Sequence, residues 1–260
     1  MALHVIDRMV VEDEGEGDAV VCLHGLGGTA NTWTPLMGAF ARHRVIRPEL
    51  PGSGRSRVEG PLSIPAMADA VMSACTRLNV KRAHFIGHSM GTIVCQHIAV
   101  AQPKLVRSLT LFGPVAALSD PARAAVRGRA TKSREEGVAG LHDITQGLLG
   151  AALSADTRAR QPLAVAFVRE SLQRQDPLAY ARSCDALADA SAAAVERIEV
   201  DALLVTGDED AIAPPQAVRT LASRMKNARV VVLNRCGHWT PIERAEECSR
   251  ELREFLGRQR

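Results

Sequence analysis

Five short apolar runs recur along the chain: VVCL at 20–23, HFIG at 84–87, LTLF at 109–112, ALLV at 202–205 and VVVL at 230–233. They read as strands buried on both faces, the pattern of a parallel sheet rather than of a half-solvated antiparallel one. Helical periodicity fills the gaps between them. Ile64, Met67, Ala68, Val71, Met72 and Cys75 share one face of a helix that Ser63 opens and that continues to Leu78. Strands alternating with helices imply right-handed crossovers and helices on both faces of the sheet. The fold class expected is therefore α/β, with a mostly parallel, doubly wound sheet.

The spacing predicts strands over Val5–Val11, Ala19–Leu23, Arg44–Pro48, Arg82–Ile86, Val106–Phe112, Ala202–Thr206 and Arg229–Leu233. It predicts helices over Thr29–Ala41 (N-capped by Asn31), Thr92–Ala101, Pro215–Arg224 and Ile242–Leu256. The acidic, glycine-rich EDEGEGD reads as a hairpin turn after the first strand. From 115 to 197 the composition shifts to Ala, Arg, Leu and Gln, and no run there reads as a strand. That stretch reads as helices broken near Gly137–Gly140, Gly150, Pro162 and Pro177. The expected organisation is an α/β core in two parts, 1–114 and 198–260, interrupted by a helical cap over 115–197. Such a cap would sit above the carboxyl ends of the strands, where open α/β sheets place their sites.

At 260 residues the chain suits one sizeable domain, and 46% apolar with 23% charged residues is a globular balance. A net charge of +3 gives no electrostatic basis for binding nucleic acid or an anionic membrane. The amino-terminal MALHVIDRMVVEDEGEG turns acidic where a signal peptide needs its apolar centre. The apolar runs fall far short of the roughly 20 residues a membrane span requires. Cys22, Cys75, Cys95, Cys184, Cys236 and Cys248 are scattered without paired spacing, as buried reduced thiols would be. A cytoplasmic location is expected, and assembly into a homo-oligomer is left open.

The chemistry is carried by GHSMG, a G-x-S-x-G pentapeptide between the strand at 82–86 and the helix at 92–101. In that context the serine stands on a tight strand-to-helix turn, and the flanking Gly87 and Gly91 let strand and helix approach. Ser89 then lies at a helix amino end, with the Met90 amide aimed at the same space. A serine needs a base, and the base should lie in the loop after the last strand. There CGHW supplies His238. The acid should come from the preceding loop, GDEDAIAPP, where Asp208, Glu209 and Asp210 compete. Asp210, three residues past Gly207 and four before Pro214, has the spacing of a carboxylate that receives the imidazole Nδ1–H; Asp208 is the alternative. The turn HGLGG offers a backbone N–H to a developing oxyanion, assigned to Leu26, with Gly27 as the other option. A phosphate-cradling role for HGLGG is disfavoured, since neither G-x-G-x-x-G nor the P-loop lysine pattern is present.

In the order HGLGG, GHSMG, GDEDAIAPP, CGHW, the four loops resemble those of the α/β-hydrolase superfamily over essentially the whole chain. Together with PGSGRS and the cap segment RQDPLAYARSCDAL, they are most similar to the 3-oxoadipate enol-lactonase and small carboxylesterase branch. HGLGG and RPELPGSGRS depart from the usual lactonase loops. The resemblance implies a serine hydrolase acting on a small ester or lactone through Ser89, His238 and Asp210, with Leu26 and Met90 as oxyanion donors. It implies no metal and no organic cofactor, and a setting in aromatic compound catabolism. A meta-cleavage-product C–C hydrolase and a cofactor-free perhydrolase share this fold, though the H-G-x-G-P-G loop of the former is absent. A non-catalytic ligand-binding homologue is the reading from a different class, and such homologues usually lack a triad residue that is present here.

Trp239 and Phe167 are candidates to line the substrate pocket. Among the cap arginines (Arg123, Arg127, Arg129, Arg134, Arg169 and Arg174), Arg169 is the candidate to bind a substrate carboxylate. His88 reads as a packed, hydrogen-bonded neighbour rather than a second base, and His24 as a residue that orders its loop.

Overall fold

The computed structural model of the chain describes residues 1–259. Its first elements are strands β1 (Ala2–Ile6) and β2 (Met9–Glu14), a hairpin where a single strand over Val5–Val11 was expected. Asp7 and Arg8 make the turn with φ of 48° and 70°, two successive left-handed residues of the kind a two-residue hairpin loop requires. Neither is the Asn-Gly or Asp-Gly that would announce such a turn. The EDEGEGD segment instead carries the chain away from β2, which pairs with a later strand and not with the one that follows it.

Strand β3 (Asp18–Leu23) leads through HGLGG into a 3-10 helix over Ala30–Phe40. Its N-cap is Thr29, whose Oγ1 accepts from the Asn31 amide, so the cap falls two residues before the one expected. Pro35 has no N–H to return to the Asn31 carbonyl, which removes an α-helical bond from the middle of this segment. Then follow β4 (His43–Pro48), α1 (Ile64–Arg77, N-capped by Ser63), β5 (Ala83–His88), α2 (Met90–Ala101) and β6 (Val106–Phe112). Four helices come next without an intervening strand: α3 (Asp120–Ala152), α4 (Ala155–Arg160), α5 (Pro162–Gln173) and α6 (Pro177–Ala188). Gly137, at φ 58°, kinks α3 where a break was expected. Gly150 does not break it and stays helical, at a cost of about 1 kcal/mol relative to alanine.

The chain returns to the sheet with β7 (Ala202–Gly207), α7 (Pro215–Ser223) and β8 (Ala228–Leu233), and ends with α8 (Thr240–Glu243) and α9 (Ala245–Gly257). One helix over Ile242–Leu256 was expected. It is interrupted at Arg244, whose guanidinium turns back to the Asn234 and Glu243 carbonyls and pairs with Asp156 at 2.9 Å.

The eight strands lie in the order β1-β2-β4-β3-β5-β6-β7-β8, antiparallel across β1-β2-β4 and parallel from β4 to β8. Successive residues feed opposite cores: Phe85 and Leu204 pack with the α1–α2 side, while Ile86, Leu203 and Val205 pack with Trp33, Phe40, Leu252 and Phe255 on the other. β8 is the exception to the doubly buried expectation. As an edge strand it is only half-buried over 228–232. The chain order reverses at β3, which is flanked by β4 and β5, so the loops after β3 and β5 open side by side at a topological switch point.

Candidate active site

Ser89 adopts φ 50°, ψ −119°, a strained conformation for a residue with a Cβ, between the last residue of β5 and the first of α2. Its amide donates to the Phe112 carbonyl at 2.9 Å. The two glycines are required by contact: a Cβ on Gly91 would lie 2.2 Å from the Leu23 carbonyl oxygen, and one on Gly87 2.7 Å from that of Gly91.

The Ser89 hydroxyl lies 2.8 Å from His238 Nε2. On its other side His238 Nδ1 lies 2.9 and 3.1 Å from the two Asp210 oxygens, which fixes the Nδ1–H tautomer and leaves Nε2 as acceptor toward the serine. Asp210 is buried and also accepts the Ile212 and Ala213 amides at 2.9 and 2.8 Å. Burial alone would raise its pKa, but His238 and these amides outweigh that and hold it at about 2. The competing carboxylates face elsewhere. Asp208 is exposed and accepts the Cys236 amide, and Glu209 accepts the Ala155 amide, so both brace loops away from the imidazole.

The pairing of Leu23 with Gly87 sets HGLGG directly against the serine turn. The amides of Leu26, Gly27 and Met90 have no hydrogen-bond partner among the described residues; Met90 follows Ser89 directly, and Leu26 lines the same cavity as Ser89. Gly27 also fixes the loop. Its carbonyl accepts from Ser171 Oγ at 2.7 Å and Gln175 Nε2 at 3.2 Å, so α5 and the turn after it clamp this loop from above. His24 orders the same loop from below, through Nδ1–H to the Gly25 carbonyl and by accepting the Leu50 amide at Nε2. His88 donates from Nε2 to the His238 carbonyl. Burial and the neighbouring His238 lower its pKa to about 3, so it stays neutral and is no second base.

A cavity of about 760 Å³ opens over Ser89 beneath the cap, lined largely by apolar side chains such as Leu26, Val126, Leu148, Leu172 and Trp239. Trp239 also packs on the His88 ring at 5.2 Å, so it both walls the pocket and supports the serine turn. Two expected pocket residues lie outside this cavity. Phe167 lines a separate cleft of about 670 Å³ with Glu49 and Arg55, and Arg169 lines neither space; the residues α5 buries are Val168 and Leu172. The arginine that does line the cavity is Arg129, on α3. Arg123, Arg127 and Arg134 on the same helix are engaged by the Ala188 carbonyl, Asp189 and Asp185. Arg129 Nε is buried without a partner, as is the hydroxyl of Tyr180 in the same wall. Burial pushes the Tyr180 phenol above its usual range, and the neighbouring Arg129 pulls it back. Helical phase separates Arg129 from the other arginines of α3: it falls at i, i+3, i+4, i+7 spacing with Ala122, Ala125 and Val126, which line the same cavity, while Arg123, Arg127 and Arg134 fall on another face.

Among the described residues no cluster of histidine, cysteine or carboxylate side chains is arranged to hold a metal ion. Among the described residues no helix is long and apolar enough to cross a membrane, and all six cysteines are free and buried.

A mostly parallel sheet, a serine on a strained strand-to-helix turn and a helical cap between β6 and β7 define a hydrolase of the α/β class. The chain belongs to the alpha/beta hydrolase fold family, whose profile matches residues 18–245. It is similar to the 2-hydroxymuconate semialdehyde hydrolase of Pseudomonas putida, with 29% identity covering 96% of this chain and 90% of the relative. Among solved structures it resembles a thermophilic esterase from Thermogutta terrifontis with malate bound, at TM-score 0.91 and 25% identity over 96% of this chain and 93% of that one. It also resembles the enol-lactonase from Burkholderia xenovorans LB400, at TM-score 0.90 and 27% identity over 98% of this chain and 100% of that one.

Proposed function

We propose that the protein hydrolyses a small carboxylic ester or lactone, with Ser89 as nucleophile, His238 as base and Asp210 as the carboxylate that orients it. The observation that carries this reading is the unbroken chain from Ser89 Oγ to His238 Nε2 at 2.8 Å and from His238 Nδ1 to Asp210 at 2.9 Å. His238 takes the hydroxyl proton as Ser89 Oγ bonds to the carbonyl carbon. The Leu26 and Met90 amides hold the resulting oxyanion. His238 then passes the proton to the departing alkoxide, leaving an acyl-enzyme. Water, deprotonated by His238, attacks that ester, and collapse returns the proton to Ser89 and frees the carboxylic acid.

Arg129 narrows the substrate class. It is the one Lys or Arg lining the cavity among the described residues. The one lining carboxylate, Asp143, pairs with Lys132 at 3.0 Å. A guanidinium left without a carboxylate beside an unpartnered phenol favours an ester or lactone that carries its own carboxylate.

The experiment compares p-nitrophenyl butyrate with p-nitrophenyl hemisuccinate. Both should be hydrolysed and both should fail with Ser89→Ala. Arg129→Gln should lower kcat/KM for the hemisuccinate alone, by about tenfold to a hundredfold. Absence of turnover on any short ester or lactone, with no adduct from a serine-directed phosphonate, overturns the reading. The 2-hydroxymuconate semialdehyde hydrolase likeness favours C–C cleavage of a vinylogous diketone acid as the second reading. An ultraviolet assay of that substrate against an enol-lactone separates the two.

A further inference from the structure

The turn that carries His238 has no regular structure to hold it, yet three consecutive amides in it are fixed. Those of Gly237 and Trp239, on either side of His238, donate to the two oxygens of one buried carboxylate, Glu243, at 3.1 and 3.0 Å. That carboxylate also accepts the amide of Ser154 at 2.8 Å, from the point where α3 of the cap has just ended. The remaining amide, that of His238 itself, donates to the Ala152 carbonyl at 2.8 Å. The approach leaves no spare room: a Cβ on Gly237 would lie 2.6 Å from the Ala152 oxygen and 2.7 Å from the Ser154 nitrogen. Glu243 pairs with no cation among the described residues, so its buried charge is compensated by backbone amides.

We infer that Glu243 is a positioning residue that locks His238 to the carboxyl end of the cap helix α3, so that the seating of the cap sets the alignment of the base. The inference rests on the reading of His238 as base given above. A buried carboxylate holding three amides tolerates little displacement, because each lost bond leaves a desolvated group. Ala151 and Ala152 line the substrate cavity, so the same two turns of α3 that touch the ligand space also hold the histidine. Ill-seated cap segments would therefore misalign the base without altering any residue that touches substrate.

The test is a double-mutant cycle on p-nitrophenyl acetate with wild type, Glu243→Gln, His238→Ala and the double variant, each checked for folding by circular dichroism. A carboxamide presents –NH2 to at least one of the amides that now donate to the carboxylate. Glu243→Gln should lower kcat about 30-fold with KM changed less than about threefold. With His238 already removed, the same substitution should change the residual rate by less than about twofold. A kcat within about threefold of wild type, or an equal loss in both backgrounds, overturns the inference, since a general scaffold residue would act in both.

Ser154 supplies the second arm should Glu243→Gln not fold. Its φ of −63° and the extended backbone of Leu153 accept proline, which removes the N–H that Glu243 holds. Ser154→Pro should lower kcat about tenfold, whereas Ser154→Ala, which keeps the N–H and loses only the Oγ cap of α4, should stay within about twofold. Equal effects of the two overturn the coupling to the cap. Full activity in His238→Ala overturns the proposed function itself; an inactive His238→Ala with an active Glu243→Gln overturns this inference alone.

Discussion

His88 donates its Nε2–H to the backbone carbonyl of His238 at 2.9 Å, so the residue beside the serine holds the main chain of a histidine 150 positions later. The histidine nearest the nucleophile in sequence is thus a strut for the distant one. His88→Ala should leave that buried carbonyl unpaired and destabilise the fold by about 1–3 kcal/mol. Hydrolysis should survive at a reduced rate, whereas His238→Ala should lose at least about a thousandfold. Urea midpoints and kcat measured on the two variants check the contrast; equal loss of kcat would contradict it.

Acid should destabilise the protein through its buried imidazoles. Burial lowers the pKa of His24, His84 and His88, to about 4 for His84 and about 3 for His88. An unfolded chain takes up these protons as pH falls below about 6.5, while the folded chain does not. The stability is therefore fully present above that pH and is lost as pH falls toward the folded values. From pH 7.5 to pH 5, His88 alone should account for up to about 2 kcal/mol. The urea midpoint should drop between these pH values, and His88→Asn should reduce the drop. A midpoint independent of pH would count against buried neutral histidines.

Asp210 is ionised throughout the working range, with its pKa held at about 2. Its stabilising contribution is present above about pH 3.8 and is lost as pH falls through its folded value, so lowering the pH to 5 leaves it ionised. Asp210→Asn should let the amide group face Nδ1, favour the wrong tautomer and lower kcat by about 10³ to 10⁴. Asp208→Asn, which keeps an acceptor for the Cys236 amide, should change kcat by less than about threefold. Steady-state kinetics on both distinguish the two carboxylates.

Gly237→Ala should be among the more damaging single-methyl changes in the chain. The added Cβ would meet the Ala152 and Ser154 backbone, which has no flexible side chain to move aside. A loss of about 1–3 kcal/mol in thermal or urea unfolding is expected, together with lower kcat. An alanine variant of wild-type stability would show that the cap junction is looser than its geometry.

The sequence by itself determined the order of the chemistry. Doubly apolar runs fixed a parallel sheet, and a serine between two glycines, an acid loop and a histidine loop each fell at the end of one of those runs. These are local patterns: burial of both strand faces and the tightness of one turn are written in neighbouring residues. The hairpin at Asp7–Arg8 was not legible, because residues that rarely adopt left-handed backbone do so there in company. The break at Arg244 was likewise set by what its guanidinium reaches, Asp156 in the cap. Tertiary packing decided which arginine lines the cavity over the serine, since Arg129 and Arg169 are alike in type and only Arg129 is set in that wall by the packing of α3 and α5. It alone decided the role of Glu243, whose three partners come from residues 154, 237 and 239. A helix-end glutamate reads as a solvated charge until the chain folds the cap junction against it, because hydrogen bonds to backbone amides leave no mark on the identities of the residues that supply them.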